Sequence, residues 1–201
     1  MKLLLTSTGF SFNPKIGQVF LDLINRNTDA LIGILTTASI GKENNEFNQL
    51  ACTQLAEMGC SNFEFVDVEV DPASKLESYD AIYICGGNTF YLLHHLKKSG
   101  ADKVLIDLAK NEVVLMGVSA GSLIMCPVID LAGKVNPDQN DVGLADLTAL
   151  GLIDFEIYPH YVLEFEQALT EYEASTGRKV VKLKNGDAYL VDDDHTELIE
   201  V

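Results

Sequence analysis

Short apolar segments alternate with amphipathic ones along the chain, and this order predicts a parallel sheet whose strands are connected through helices. Strands are predicted at residues 2–7, 30–36, 62–68, 80–85 and 112–118. Most of these segments are continuous apolar runs without strict alternation, which is typical of strands covered on both faces. The pattern therefore indicates an α/β fold.

Helical spacing occupies the intervals between several of these strands. Asn13-Pro14 has the composition of a helix start, and an apolar stripe from Ile16 to Ile24 follows it. Leu50, Leu55 and Met58 predict a second helix, which Gly59 stops.

The C-terminal third begins with a region rich in Gly, Pro, Asp and Asn at residues 127–143, which is interpreted as a long loop and not as a linker. A single domain over residues 1–201 is therefore predicted. A strand at 154–158, a helix at 163–172, a hairpin of 180–183 with 188–191 around Asn185-Gly186, and a last strand at 196–201 are expected. The acidic run 192–194 is interpreted as a solvated turn.

Composition narrows the choice of partners. The chain has 14 Lys and Arg residues against 30 Asp and Glu residues, a formal net charge of -16 that disfavours nucleic acid and anionic membrane surfaces. Its apolar runs are far shorter than the roughly 20 residues of a membrane span. The first apolar run ends at Thr6, which argues against a signal peptide.

The four cysteines have neither metal-ligand nor CxxC spacing and lie in apolar segments. They are expected to be reduced core residues of a cytoplasmic protein without a bound metal.

A Gly-x-Ser-x-Gly sequence at residues 117–121 connects an apolar strand to helix-compatible residues. This context predicts a nucleophile elbow, in which a tight turn lifts the Ser119 hydroxyl out of the sheet. The backbone N–H of Ala120 would then face a developing oxyanion. A glycine-lined phosphate loop or a plain strand-to-helix joint is the alternative.

A second glycine pair, Gly86-Gly87, follows the strand at 80–85. Carboxyl ends of parallel strands lie at one edge of a sheet, so Gly87 is predicted to supply the second oxyanion donor, with Asn88 beside it in the substrate site. The alternative is that the pair only turns the chain and that Asn88 or Thr89 caps the next helix.

Serine needs a base, and histidine is the usual one. Of the four histidines, His94 and His95 lie within a predicted helix and His195 lies in the acidic C-terminal edge. His160 follows a predicted strand and Pro159, in a loop position where catalytic groups are often carried. His160 is therefore the predicted general base.

Together these motifs resemble the dipeptidase E family of aspartyl dipeptidase-like serine peptidases, which is related to cyanophycinases. The resemblance rests on residues 85–90, 117–121, 126–127 and 158–160 and extends over nearly the whole chain. It implies a three-layer, mostly parallel α/β fold of the flavodoxin-like or class I glutamine amidotransferase-like type. It also implies Ser119 as nucleophile, His160 as base and acid, and Gly87 with Ala120 around the oxyanion.

The third member of the triad departs from the family pattern. Relatives carry a glutamate in the matching turn, where this chain has Asn185. An amide can orient an imidazole without stabilising its charge, so a slower enzyme is expected. Asp187 and Asp130 remain alternatives, and Asn-Gly is also a common turn sequence that needs no catalytic reason.

The residues expected to set substrate specificity also differ from the family pattern. Between His160 and Asn185 the only arginine is Arg178, among several glutamates, so aspartyl specificity is not expected. The sequence thus predicts a cytoplasmic serine peptidase acting on small peptides without a cofactor, and a homo-oligomer is compatible with it. A non-catalytic relative that binds a metabolite or peptide in the same crevice is the competing hypothesis, and an esterase or acyl transferase is a third.

Overall fold

The computed structural model describes residues 1–201, and its main sheet has seven strands. They are β1 (Lys2–Thr6), β2 (Ile32–Leu35), β3 (Phe63–Val66), β4 (Ala81–Ile84), β5 (Val114–Val118), β8 (Ala188–Asp192) and β9 (His195–Ile199). A separate small sheet contains β6 (Glu156–Tyr158) and β7 (Val180–Lys182). The order in the main sheet is β3-β2-β4-β5-β1-β8-β9, in which the first five strands are parallel and β8 and β9 are antiparallel.

Six α-helices connect and cover these strands. They are α1 (Pro14–Leu23), α2 (Glu46–Glu57), α3 (Thr89–Ser99), α4 (Ala101–Lys110), α5 (Ala120–Leu123) and α6 (Glu166–Thr176). The predicted start of α1 is confirmed, because the Asn13 side chain accepts a hydrogen bond from the Lys15 N–H and Pro14 is the first helical residue. The sequence pattern predicts no separate helix at α4.

Both faces of the main sheet are packed. Along β1, Leu3 and Leu5 enter one apolar cluster while Leu4 enters the cluster on the opposite face. Successive side chains of a strand point to opposite faces, so a strand buried on both sides must be apolar throughout. The predicted three-layer, mostly parallel α/β fold is confirmed.

The predicted hairpin of 180–183 with 188–191 is wrong. Strand β7 pairs in parallel with β6, whereas β8 pairs antiparallel with β1 and with β9. The turn itself forms, with the Asp187 N–H donating to the Lys184 carbonyl at 3.0 Å. The strands separate because they bury different surfaces: Val180 packs in a small cluster with Tyr158, whereas β8 completes the main core.

The actual hairpin joins β8 to β9. Residues 193 and 194 form its exposed turn, in agreement with the solvated turn expected for the acidic run, and β9 forms the edge strand predicted at 196–201.

The four cysteines are unpaired and buried. Burial raises the pKa of the Cys126 thiol to about 12, and that of Cys52 and Cys60 is raised for the same reason. None of the helices has the length and apolar character needed to cross a membrane. His, Cys, Asp and Glu side chains form no group of three or more suited to a metal ion.

A buried hydroxyl joins β1 to β5 at their carboxyl ends. Ser122 Oγ accepts a hydrogen bond from the Thr6 N–H at 2.9 Å and lies 2.9 Å from the carbonyl oxygens of Thr6 and Gly117, one of which accepts its proton. Thr6 Oγ1 donates to the same Gly117 carbonyl at 2.8 Å. This contact fixes the two strand ends from which the candidate site is built.

Replacing Ser122 with alanine is expected to lower the free energy of unfolding by about 1–3 kcal/mol, because the buried Thr6 N–H then loses its acceptor. Denaturant unfolding of the full chain measures this. Ser61→Ala is the control, since Ser61 is exposed, and it should leave the midpoint nearly unchanged. Equal midpoints for the two variants would contradict the assigned contact.

Candidate active site

Ser119 lies at the turn between β5 and α5 in an unusual backbone conformation. Its φ is 51° and its ψ is -108°, which places a residue with a side chain in a region that it rarely adopts. The Ser119 N–H donates to the Thr6 carbonyl at 3.0 Å, and the Ser119 carbonyl accepts from Ser122 and Leu123 at 2.9 and 3.0 Å. The turn is therefore held from both sides.

The glycines on either side of Ser119 are required by close backbone contacts. A Cβ added at Gly121 would collide with the Ile84 carbonyl oxygen of β4, and one added at Gly117 would collide with the Gly121 backbone. The Gly-x-Ser-x-Gly spacing thus has a steric origin: the start of α5 must pass directly over the ends of two strands.

His160 projects from a bulge that follows β6. The Leu183 N–H donates to the Tyr158 carbonyl and the Tyr161 N–H donates to the Leu183 carbonyl, both at 2.9 Å. Residues 159 and 160 therefore both lie opposite Leu183, where a regular parallel ladder has one residue. Bulges of this kind re-aim a side chain. His160 has a φ of 55°, and its Nε2 lies 3.0 Å from Ser119 Oγ.

Asn185, in the turn after β7, contacts the far side of the same imidazole. Its Oδ1 lies 2.8 Å from His160 Nδ1. An oxygen at this position accepts a proton carried on Nδ1, which leaves Nε2 free to accept one from Ser119. The three side chains therefore form a continuous chain of contacts suited to general-base activation of a hydroxyl.

The two alternative third members are occupied elsewhere. The Asp187 carboxylate accepts hydrogen bonds from the backbone N–H groups of Lys184 and Val201 at 2.9 and 3.2 Å. The Asp130 carboxylate lies 2.9 Å from Nη1 of Arg178. The structure thus brings Asn185, and neither aspartate, to the imidazole.

Ser7, which the sequence places at the end of the first predicted strand, is a neighbour of this chain of contacts. Its hydroxyl oxygen lies 2.9 Å from the His160 backbone nitrogen, 3.3 Å from His160 Nδ1 and 3.4 Å from Asn185 Oδ1. The sequence offers one signal for Ser7, its position: it directly follows β1, which lies beside the strand that leads to Ser119.

The other three histidines lie outside the site. His94 and His95 contact each other on α3, and His95 also contacts Tyr91. His195 lies in the β8–β9 hairpin, 3.7 Å from a carboxylate oxygen of Glu197.

The predicted oxyanion residues are Ala120, which follows Ser119, and Gly87, which follows a glycine packed against Ser119. Ala120 is the first residue of α5, so its N–H has no acceptor within the helix. Gly87 has a φ of 145°, and a Cβ there would collide with the Ala38 carbonyl, while a Cβ on Gly86 would lie 3.4 Å from that of Ser119. Only glycine allows this loop to pack so closely.

The Asn88 side chain caps α3. Its Oδ1 accepts a hydrogen bond from the Tyr91 N–H at 2.8 Å, and its Nδ2 donates to the Gln139 carbonyl at 2.8 Å. Both ends of the amide are therefore occupied, as in the capping alternative that the sequence left open. Asn88 nevertheless forms part of the wall of a cavity beside the glycine pair.

That cavity has a volume of about 360 Å³ and is lined by residues 37–42, 88, 91, 139, 141 and 142. Lys42 supplies its positive charge, and its Nζ lies 3.1 Å from the Asp67 carboxylate and 3.0 Å from that of Glu69. The cation is therefore neutralised by two carboxylates.

Arg178 is held by a partly buried network. Its Nη1 contacts Asp130 at 2.9 Å and Glu156 at 3.4 Å, and it donates to the Tyr172 hydroxyl at 3.2 Å. Burial raises the pKa of the Glu156 carboxyl, while hydrogen bonding from Tyr172 and the charge of Arg178 oppose that rise. One nitrogen of the guanidinium, Nη1, is therefore shared among these three neighbours.

Comparison with known proteins relates this geometry to a family. The profile of peptidase family S51 matches residues 3–199. An uncharacterized peptidase of Pasteurella multocida is 30% identical over 168 residues, which cover 80% of this chain and 78% of that protein. An uncharacterized peptidase of Listeria monocytogenes is 40% identical over 88 residues, which cover 44% of this chain and 43% of the relative.

Among solved structures, a Listeria monocytogenes protein described provisionally as a peptidase E superposes with a TM-score of 0.82 and 26% identity. The superposition covers 100% of this chain and 98% of that one. The resemblance to the dipeptidase E family is confirmed.

The contact between Gly121 and Ile84 yields a stability prediction. Gly121→Ala should lower the free energy of unfolding by about 1–3 kcal/mol, because the added methyl group forces the α5 backbone away from β4. Gly17→Ala is the matched control, since a Cβ there meets only the flexible Met58 side chain. A Gly121→Ala midpoint in denaturant at or above that of Gly17→Ala would contradict the steric explanation.

Proposed function

The chain belongs to peptidase family S51, and from this membership we propose that it is a serine peptidase that cleaves small peptides through an acyl-enzyme on Ser119. The observation that carries the proposal is the contact of His160 Nε2 with Ser119 Oγ at 3.0 Å. A nucleophile with a base within hydrogen-bond reach is the arrangement that covalent acyl transfer requires.

In the proposed reaction, His160 Nε2 takes the hydroxyl proton as Ser119 Oγ attacks the carbonyl carbon of the peptide bond. The negative charge that develops on the carbonyl oxygen faces the N–H groups of Gly87 and Ala120. The imidazolium then gives its proton to the departing amine as the carbon–nitrogen bond breaks. His160 then takes a proton from water, which attacks the resulting ester. As the bond to Ser119 Oγ breaks, the imidazolium returns that proton to Oγ and the acid product leaves.

Asn185 orients the imidazole in this scheme without adding charge. Its Oδ1, 2.8 Å from Nδ1, favours the tautomer that acts as a base. A neutral amide stabilises the imidazolium less than a carboxylate would, so we propose a slower enzyme than one with a glutamate in this turn.

Charge around the site favours peptides without an acidic side chain at the cleavage position. Lys42 is paired with two carboxylates, Arg178 is held by Asp130 and Glu156, and the formal net charge is -16. A substrate carboxylate would meet no unpaired cation among these groups. The four unpaired cysteines favour a reducing compartment.

Ser119→Ala is expected to abolish both hydrolysis of a dipeptide panel and covalent labelling by a fluorophosphonate, because the attacking oxygen is removed. Intact-mass measurement follows the labelling, and Ser61→Ala serves as the exposed control, which should label like the wild type. Modification of a different serine, or full turnover by Ser119→Ala, would contradict the proposed nucleophile. Tight peptide binding without labelling of the wild type would instead support a non-catalytic binding protein.

A matched pair of dipeptides tests the proposed specificity. Asp-Leu and Asn-Leu are nearly equal in size and differ in charge at the first side chain, and Asn-Leu is expected to be cleaved at least as fast because Lys42 and Arg178 are already paired with carboxylates. The ratio of their kcat/KM values is the measurement. Strong preference for Asp-Leu would overturn this part of the proposal and leave the nucleophile assignment intact.

A further inference from the structure

We propose that Ser7 is a positioning residue of the peptidase proposed above, whose hydroxyl holds His160 and Asn185 in register with Ser119. Ser7 has no exposed surface and directly follows β1, the strand between β5 and β8. The inference rests on the proposed function, since it assigns Ser7 a part in the same reaction.

The first contact fixes the backbone of His160. The bulge after β6 removes the His160 N–H from the ladder with β7, because the neighbouring bonds both go to Leu183. Ser7 Oγ accepts that N–H at 2.9 Å. A partly buried backbone donor without an acceptor would be unfavourable, and the His160 φ of 55° needs surrounding contacts to persist.

The second set of contacts concerns the side chains. A serine hydroxyl has one proton and two acceptor sites, and the His160 N–H uses one of those sites. Ser7 donates its proton to Asn185 Oδ1 at 3.4 Å, which keeps this oxygen beside the imidazole. Ser7 Oγ lies 3.3 Å from His160 Nδ1, so its remaining lone pair can accept the Nδ1 proton together with Asn185 Oδ1.

This sharing matters when the imidazole becomes charged. Asn185 carries no charge, and the nearby Asp187 carboxylate accepts from the backbones of Lys184 and Val201, so it does not face Nδ1. Lys184 is the exposed cation on the same turn. Ser7 Oγ therefore supplies a second oxygen dipole to the imidazolium where a carboxylate is absent.

Ser7 also connects the structural parts that carry the site. Its N–H donates to the Asp187 carbonyl at 3.2 Å, in the turn that holds Asn185. One residue thus links β1 of the main sheet, the bulge after β6 and the turn after β7. Without its hydroxyl, the imidazole would keep its covalent connection to the bulge but lose its register to Ser119.

The test is the pH dependence of fluorophosphonate labelling of the full chain, compared between wild type and Ser7→Ala. The plateau rate should fall about three- to tenfold, as expected for a lost hydrogen bond in the charged state. The midpoint of the acidic limb should move about half a pH unit lower, because the imidazolium loses an acceptor.

Thr36→Val is the matched control. Thr36 is a buried hydroxyl at the end of β2 that donates to the Val66 carbonyl at 3.3 Å, so its loss perturbs the same sheet edge without touching the imidazole. Thr36→Val should label with the wild-type plateau rate and midpoint. Thermal unfolding of both variants keeps stability separate from labelling.

A second background tests whether Ser7 acts through the imidazole. In Asn185→Asp the carboxylate itself stabilises the imidazolium, so Ser7→Ala should slow labelling less there than in the wild type. A Ser7→Ala variant with the wild-type plateau and midpoint would overturn the inference, as would equal losses in both backgrounds. If Ser119→Ala still labels in this assay, the proposed function fails. If Ser119→Ala does not label but Ser7→Ala labels like the wild type, the proposed function stands and only the inference about Ser7 fails.

Discussion

The backbone of Ser119 is held at a φ of 51° by contacts that leave the turn almost no freedom. The start of α5 passes so close to β4 that Gly121 has no room for a side chain, and Ser122 joins the ends of β1 and β5 beneath it. The strain in one residue is thus balanced by packing and hydrogen bonds in the surrounding core. Every other element of the candidate site is placed relative to this turn.

The imidazole that meets Ser119 comes from a different sheet. Strands β6 and β7 form a small sheet of their own, which contacts the segment after α5 where the Ile157 N–H lies 3.2 Å from Cys126 Sγ. A site built from two sheets needs the position of one sheet fixed relative to the other. The contacts of Ser7 Oγ with the His160 backbone and of the Ser7 N–H with the Asp187 carbonyl fix it at the site itself.

The cations Arg178 and Lys42 form ion pairs with carboxylates of the protein itself. The buried Glu156 carboxyl shares Arg178 with Asp130 and accepts from the Tyr172 hydroxyl, which anchors β6 to α6. Buried ion pairs are weak indicators of stability, because desolvation offsets much of their attraction. Their clearer consequence is that the positive charge of Arg178 is already balanced by carboxylates, and Lys42 is similarly paired at the cavity wall.

The sequence by itself determined the features whose physics is local. Continuous apolar runs identified the parallel strands, because both faces of such a sheet must be covered. The glycines around Ser119 identified the tight turn, and Pro159 with the strand before it singled out His160 among four histidines.

Only the tertiary structure decided which distant segments meet. Asn185-Gly186 predicts a turn equally well whether or not its flanking strands pair, so the separation of β7 from β8 depended on which apolar surface each could bury. The choice of Asn185 over Asp187 and Asp130 followed from where each carboxylate found its partners. The contacts of Ser7 with the site depend on the packing of the bulge after β6 against the end of β1. They join residues 153 positions apart, so the local sequence pattern does not predict them.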